Sequence, residues 1–581
     1  MNRLKNILNK VQKPGRYIGG ETNSVRKGLA AGTSVALAYP DTYEIGMSYL
    51  GLRILYHLLN EQDDVVCERV FMPWDDMAKE LEGTGTKLFT LESRAPLNRF
   101  DIVGFSLCYE LTYTNVLEML RLGGITVRAD DRRDDEPLVI AGGACCYNPE
   151  PMSAFIDAFI IGDGEDAVLE FVKKYSGIKD KPWTRKRKLK ALSELPYVYV
   201  PCLYGAGYSA GRFSGLKPLE GSVPEKIEKA VVKDLENAYY PEKQIVPLIG
   251  IVHDRIAVEI MRGCPNRCRF CQASVINSPV QLRSAKRVRE ICRRVYGNTG
   301  CERISLLSLS SVNYPYLKEL VKTLVEDFRE RGVGISIPSL RVDEAFYSLP
   351  EMLSVIRKTA LTFAPESPTG ELRKALRKDI DPGVLCKSAL VAYQSGWKKL
   401  KLYFMVGFPG SVEKEAEDII KMARELSHLK KEVSKSSAEI KVSVNPFIPK
   451  PHTPLQWLGM RGREELLDVK MTMMANSSRK VKCDFSDIEQ TILEACLSRG
   501  DRRTGDVIYA AWEKGAKMDS WSDFFDISLW ERSFAENGLD MYDDARKTYR
   551  PEDTLPWSHI KTNVADEFLI SEFLASGLAS I

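Results

Sequence analysis

The chain reads as an α/β protein: a doubly wound parallel sheet, then a partial barrel of six strand–helix repeats, then a small mixed, mainly helical C-terminal domain. Three observations predict this. Short apolar runs alternate with amphipathic stretches from Thr33 to about residue 175. A second, longer ladder of the same kind runs from Ala257 to Phe447. Beyond residue 460 the pattern leans to helix and gathers four of the eight tryptophans, Trp512, Trp521, Trp530 and Trp557, which read as small-core residues.

Residues 1–30 are a polar lead-in. Within 31–182, Ser34–Tyr39, Val65–Phe71, Asp101–Leu107, Leu138–Gly142 and Ala158–Gly162 read as strands, with helices over Gly46–Asn60, Thr112–Leu122 and the stretch after Glu165. Short apolar strands alternating with helices line up in parallel, as a Rossmann-like sheet. Residues 183–247 break the rhythm with the basic run Arg185–Lys188 and a Gly- and Tyr-rich segment. They read as a connector with some strand, the basic run being a solvated face. Within 248–460 the strands are Ala257–Met261, Ile304–Leu309, Gly334–Pro338, Leu361–Ala364, Leu400–Val406 and Ile440–Phe447, separated by helices such as Tyr316–Arg331 and Glu413–Leu429. Chemistry in such barrels sits on loops at the carboxyl ends of the strands. Residues 461–581 form the C-terminal domain.

The 82 basic and 79 acidic side chains leave a net charge of +3, so composition makes no case for a nucleic-acid or membrane surface. Thirteen cysteines, mostly single, do not make the dense framework of a small secreted domain. Met1–Lys13 is basic and polar without an apolar signal core, and no run approaches the ~20 apolar residues of a spanning helix. A cytoplasmic protein with no membrane partner is expected. Five histidines argue against a histidine-rich metal site.

The segment Met261-Arg262-Gly263-Cys264-Pro265-Asn266-Arg267-Cys268-Arg269-Phe270-Cys271 stands apart. Three residues separate its first two cysteines and two separate the next pair. Three thiolates on one short loop can hold three irons of a cubane, for which four cysteines are the usual complement, and the missing fourth leaves one iron open. Zinc is the alternative, but it wants four ligands, and His253, Cys292 and Cys301 are lone residues that complete no finger. This spacing, with Phe270 just before the third cysteine, resembles the radical S-adenosylmethionine (radical SAM) superfamily over about residues 250–455. The resemblance implies a [4Fe–4S] cluster on Cys264, Cys268 and Cys271. It also implies S-adenosylmethionine (SAM) chelated at the open iron, and an electron that splits its sulfonium to give a 5′-deoxyadenosyl radical.

The same resemblance suggests roles elsewhere. Phe270 would pack near the adenine. Ser308, Ser310 and Ser311 stand where relatives often carry a glycine-rich turn ending in an acid; here hydroxyls and backbone carbonyls would hold the SAM amino group, or the turn is a helix cap. Glu366, within Ala364–Ser367, resembles the ribose-contacting motif, and a carboxylate suits two vicinal hydroxyls. Tyr403 and Met405 share one face of the fifth strand, Gly407 would admit a ligand close to the backbone, and Asn445 ends the sixth strand. Lys450 and His452 face substrate or belong to a structural loop; Arg341 and Asp343, after the third strand, touch the SAM carboxylate or substrate, or pair at the surface.

Residues 33–175 resemble the cobalamin-binding domain fused to many radical SAM enzymes. Gly142, Gly143, Gly162 and Gly164 match turns where a corrin or its nucleotide tail lies against backbone. Free-standing cobalamin domains often carry Asp-x-His-x-x-Gly with a cobalt-ligating histidine. Asp41-Thr42-Tyr43-Glu44-Ile45-Gly46 has that outline, but a neutral phenol of pKa near ~10 is a poor ligand. Two readings stay open: cobalamin without a protein axial ligand, or a domain without cofactor. Arg499–Arg503 and Leu555–Ile560 resemble the tail of a branch that brings no known substrate; Arg502 and Arg503 bind phosphate, or cap a helix or pair with acids.

The function expected is a radical SAM enzyme acting on an unknown substrate (a small molecule, RNA or protein), by methyl transfer where cobalamin is bound. One alternative is RNA or protein modification such as methylthiolation without cobalamin. That chemistry usually needs a second cluster, for which the adjacent Cys145 and Cys146 are poorly spaced. The other is a non-catalytic iron–sulfur or cobalamin sensor. The partner implied is an electron donor such as flavodoxin or ferredoxin.

Overall fold

The computed structural model describes residues 2–337, 361–409 and 414–580. The N-terminal sheet contains β1 (Thr33–Tyr39), β2 (Val65–Phe71), β3 (Ile102–Ser106), β4 (Leu138–Gly142), β5 (Ala158–Ile160) and β6 (Val198–Tyr199), in the order β2-β1-β3-β4-β5-β6. The first five are parallel and β6 runs antiparallel to β5. Helices α1 (Leu50–Asn60), α2 (Asp75–Thr84), α3 (Tyr113–Gly123) and α4 (Gly164–Ser176) cover both faces. That is why the strands are apolar runs with little alternation. The order reverses between β1 and β3, so the crevice at their carboxyl ends is the switch point where such sheets bind ligands.

The stretch expected as a connector carries more structure. Thr184 caps the helix α5 (Arg185–Leu192), and Arg185 turns inward to the Asp157 carboxylate at 2.6 Å. Lys186 and Arg187 remain exposed. The sheet then continues into β6, inside the expected connector, and a hairpin of Tyr204–Ser209 and Arg212–Pro218 follows.

The second unit is two parallel half-sheets. One holds β7 (Ile256–Glu259), β8 (Arg303–Leu307) and β9 (Gly334–Ser336); the other holds β10 (Leu361–Glu366), β11 (Lys399–Val406), β12 (Glu439–Pro446) and β13 (Val481–Phe485). Among the described residues no pairing joins the two into a closed barrel. The helices between strands include α6 (Ala285–Thr299), α7 (Leu317–Phe328), α8 (Pro382–Gln394), α9 (Glu415–Leu429) and α10 (Arg463–Ala475). Their ends follow local chemistry: Ser284 and Asp381 accept hydrogen bonds from the first-turn amides of α6 and α8, and left-handed Gly300 closes α6. On β11 Leu400, Leu402, Phe404 and Val406 are buried, while Tyr403 and Met405 are half-buried on the other face.

Among the described residues the repeats number seven strands rather than six. β13 pairs with β12 from Ile440–Val481 onward, inside the stretch expected as the C-terminal domain. It is an edge strand with Lys482 and Asp484 exposed, so its sequence lacks the apolar run that marks a central parallel strand. After it comes α11 (Ile488–Arg499) and a helical tail. Trp530 and Trp557 are fully buried, and Trp512 and Trp521 donate to Glu118 and Asp41 of the N-terminal domain, each at 3.0 Å.

Candidate functional site

The cysteine loop leaves β7 through Met261–Arg262, which pairs antiparallel with Gln281–Leu282. Gly263 takes φ 78°, and a Cβ there would stand 2.7 Å from the Asn277 carbonyl oxygen, so only glycine makes this turn. Cys264, Cys268 and Cys271 are half-buried and unbridged. Burial pushes the Cys271 thiol up and neighbouring Cys264 adds to it, against the Ser274 amide. Among the described residues no three His, Cys, Asp or Glu side chains converge on one metal position. A cubane gives each thiolate a different iron, so its ligands stand further apart than those of a single zinc.

Asn266, between two of the cysteines, ties the loop to the serine turn after β8. Its Nδ2 donates to Asn313 Oδ1 (2.9 Å) and Ser310 Oγ (3.3 Å) and lies 3.5 Å from Cys264 Sγ. The Ser308 and Ser311 hydroxyls share a bond of 2.9 Å, and Ser310 Oγ donates to Asn313 Oδ1 at 2.7 Å. Across the barrel, Glu366 has a left-handed backbone (φ 67°) after an irregularity in the β10–β11 register. Lys378 Nζ sits 2.5 Å from its carboxylate and 5.9 Å from the centre of the Phe270 ring. Sequence reading passes over Asn266, Asn313 and Lys378; an amide inside the cysteine motif is the one signal available there.

Two cavities flank this loop. The first, of about 610 Å³, lies between the units and is lined by Gly142, Gly143, Gly162, Gly164, Gly263 and Ser308, among others. The second, of about 590 Å³, brings together Phe270, Met405 and Asn445 with Lys450, Tyr109 and Glu494. Lys450 Nζ lies 2.7 Å from Glu110 and 2.8 Å from Glu494. Burial opposes its charge, but the two acids outweigh it and raise its pKa; burial also raises the Glu110 carboxyl.

Arg262 joins the units across the first cavity. Its guanidinium reaches Glu165 (2.7 Å), Glu259 (2.8 Å) and Asp163 (3.3 Å). Burial works against the cation, and Glu259 and Glu165 more than offset it. Nearby, burial lowers Lys229 to about 8; its Nζ donates to the Ile276 carbonyl at 2.7 Å.

Some expectations need correction. The side-chain direction at Gly407 (φ 84°) is filled by Leu466 Cδ2 at 3.0 Å and Arg461 Cβ at 3.2 Å, so its close approach is to α10 and the turn before it, not to a ligand. At Gly143 (φ 122°) and Gly162 (φ 105°) that direction meets the carbonyl oxygens of Leu107 at 2.4 Å and Ala230 at 2.2 Å. These two glycines line the cavity, but their missing side chains serve backbone packing. Tyr403 lines neither cavity and its hydroxyl lies 2.5 Å from Lys401 Nζ. Among residues whose roles the sequence leaves open or discounts as ligands, His452 is buried with Nε2 2.8 Å from the Tyr147 carbonyl. Tyr43 is buried and donates to Glu21 at 3.1 Å. Arg502 pairs with Glu150 and Arg503 with Asp501, each at 2.7 Å. Arg341 and Asp343 lie outside the described residues.

Residues 51–201 match the family described as radical SAM proteins, N-terminal, and residues 258–423 match the radical SAM superfamily. The chain is a radical SAM superfamily protein. The family implies a [4Fe–4S] cluster and SAM, with a reductant and a substrate. The uncharacterized protein MJ0966 of Methanocaldococcus jannaschii is 26% identical over 475 residues, 81% of this chain and 89% of that one. Among solved structures, the radical SAM methyltransferase TsrM from Kitasatospora setae, with cobalamin and [4Fe–4S] cluster bound, has a TM-score of 0.49 at 13% identity, covering 71% of this chain and 75% of that one. The cobalamin-dependent radical SAM enzyme OxsB, with aqua-cobalamin bound, has a TM-score of 0.46 at 11% identity, over 87% of this chain and 71% of that one. No helix among the described residues is long and apolar enough to cross a membrane.

Proposed function

We propose that this radical SAM protein is a cytoplasmic enzyme that modifies its substrate by radical chemistry, and that it uses cobalamin for methyl transfer. Cys264, Cys268 and Cys271 would hold the cluster, which three unbridged thiols on one short loop suit. When bound, cluster and SAM supply the radical that attacks an unactivated C–H bond, and cobalamin supplies a methyl group.

The chain's own residues position and shield these groups. Asn266 fixes the cysteine loop against the Ser308–Ser311 turn. Ser310 and Ser311 are buried in the turn's own hydrogen bonds, and Ser308, which lines the first cavity, would be the hydroxyl offered to an ammonium. Glu366, neutralised by Lys378, presents a carboxylate for ribose hydroxyls beside the Phe270 ring. The second cavity offers amides, hydroxyls and the Lys450–Glu494 pair for the polar groups of a substrate, and α11 covers it on one side. A flavodoxin- or ferredoxin-like donor would bring the electron.

One observation carries the cobalamin reading. The first cavity has the carboxyl ends of the N-terminal strands on one wall and Gly263, Leu307 and Ser308 on the other, so whatever fills it borders the cysteine loop. The test has two parts. Anaerobically reconstituted protein given SAM and dithionite should release 5′-deoxyadenosine; none from a cluster-loaded sample sinks the enzyme reading. Protein from cobalamin-supplied cells should carry a corrin absorbance; a corrin-free protein removes methyl transfer and leaves the rest.

A further inference from the structure

One end of the first cavity is cationic. Arg255, the residue before β7, lines it. Its Nε is buried without an acceptor. Burial alone acts on its pKa, downward, with no acid opposing. By contrast, the three acids that line the same cavity, Asp163, Glu165 and Glu259, are all held by Arg262. Arg53 of α1 stands within electrostatic reach of Arg255 and of Asp254, which acts on it from beyond ion-pair distance. Arg53 is only 5% exposed, gives Nη1 to Gln244 at 3.1 Å, and leaves Nε and Nη2 without acceptors. Arg53 is buried and Arg255 half-buried; a cation taken from water is costly unless an anion completes it, and among the described residues no acid forms an ion pair with either guanidinium.

The place of this charge matters. Arg255 and Gly263 are eight positions apart on nearly extended chain, on the order of 20 Å, so the cationic end lies away from the cysteine loop. The lining also includes Leu37, Ile54, Leu55, Ile140 and Val168, apolar residues of the sheet and of helices α1 and α4.

We propose that Arg255, backed by Arg53, anchors the phosphodiester of a corrinoid's nucleotide loop, with the flat uncharged base against these apolar residues. The proposal rests on the cobalamin reading above. A guanidinium offers paired N–H donors to phosphate oxygens and keeps its charge at any working pH. Among the described residues that line the cavity, Arg255 is the cation without an acid partner, and the phosphodiester's single negative charge matches it. Free phosphate or a mononucleotide shares this chemistry, so the experiment separates the sources.

The measurement is equilibrium dialysis of the full chain against aquacobalamin, against diaquacobinamide, which lacks the nucleotide and its phosphate, and against AMP and inorganic phosphate. The wild type should bind the cobalamin roughly tenfold or more tightly than the cobinamide, the worth of one charge-assisted contact. Arg255→Met should erase most of that preference while binding cobinamide as the wild type does, which also shows the variant is folded. Arg255→Lys should fall between. Equal affinity for both corrinoids in the wild type, or a preference that survives Arg255→Met, overturns the anchor and leaves the cobalamin reading standing. Arg255-dependent binding of AMP or phosphate with no corrinoid preference assigns the end to a free anion and also overturns it. Failure to bind either corrinoid removes the cobalamin reading itself, and the anchor with it.

Discussion

Arg262 Nη2 lies 2.7 Å from Glu165 Oε1, joining the residue before the cysteine-loop turn to the first turn of α4 in the other unit. Both side chains are largely buried, at 11% and 9% exposure. The same guanidinium also holds Glu259 and Asp163, so the wall of the first cavity and the start of the cysteine loop share one cation.

Arg262→Met should therefore cost about 3–5 kcal/mol, the scale for stranding buried charges. Glu165→Gln should cost less, because the arginine keeps two acids. Urea unfolding followed by circular dichroism checks the order of the midpoints. A wild-type midpoint for Arg262→Met would show that the ion cluster does not hold the units together.

Single Cys264→Ser, Cys268→Ser and Cys271→Ser variants should each lose the iron complement of about four atoms per chain and abolish 5′-deoxyadenosine release. Cys292→Ser and Cys496→Ser, both buried away from the loop in helices, should keep both. Iron quantitation beside product analysis decides this, and a required fourth cysteine would contradict the open-iron assignment.

Acid should weaken the fold through three buried histidines. Burial lowers His57 and His452 to about 4 and His559 to about 3, against an ordinary value of 6.5. Below pH 6.5 the unfolded chain binds protons that the folded chain refuses, so stability falls as pH drops from 6.5 toward 4. Each histidine contributes about 1.4 kcal/mol per pH unit at most. Buried Asp519, raised to about 6, acts the other way, because the folded state takes its proton first. Glu110, Glu150 and Asp163, raised by burial, act as Asp519 does, so the check is differential: the urea midpoint should fall less from pH 7 to pH 5 in His452→Gln than in the wild type.

Gly407→Ala should destabilise by about 1–2 kcal/mol, from a left-handed backbone and the tight approach to Leu466 and Arg461. Gly142→Ala should be nearly neutral, since its nearest obstruction, the Ile160 carbonyl oxygen, is 3.5 Å away. Thermal melts of the two variants make the comparison, and equal losses would contradict the packing argument.

Much of this protein is visible in one dimension. Central strands such as β3 and β4 are short apolar runs because both faces are covered, and the spacing Cys264, Cys268, Cys271 marks the loop proposed to hold the cluster without any fold. The carboxyl-end glycines mark the turns bordering the first cavity, although the reason for two of them, Gly143 and Gly162, is contact with Leu107 and Ala230 far along the chain. What periodicity reports is local: which face of a segment is dry, and where the backbone must turn.

Which charges meet was decided only in three dimensions. Asn266 finds Asn313 forty-seven residues away, and Arg262 finds Glu165 ninety-seven residues away. Edge strand β13, polar on alternate positions, joins the barrel only because β12 offers it a free edge. Arg255 and Arg53 look like ordinary surface arginines until folding brings them within electrostatic reach of each other, Arg255 in the cavity wall and Arg53 behind it. Side-chain pairing depends on through-space distance, and distances between remote segments are set by packing the two units together.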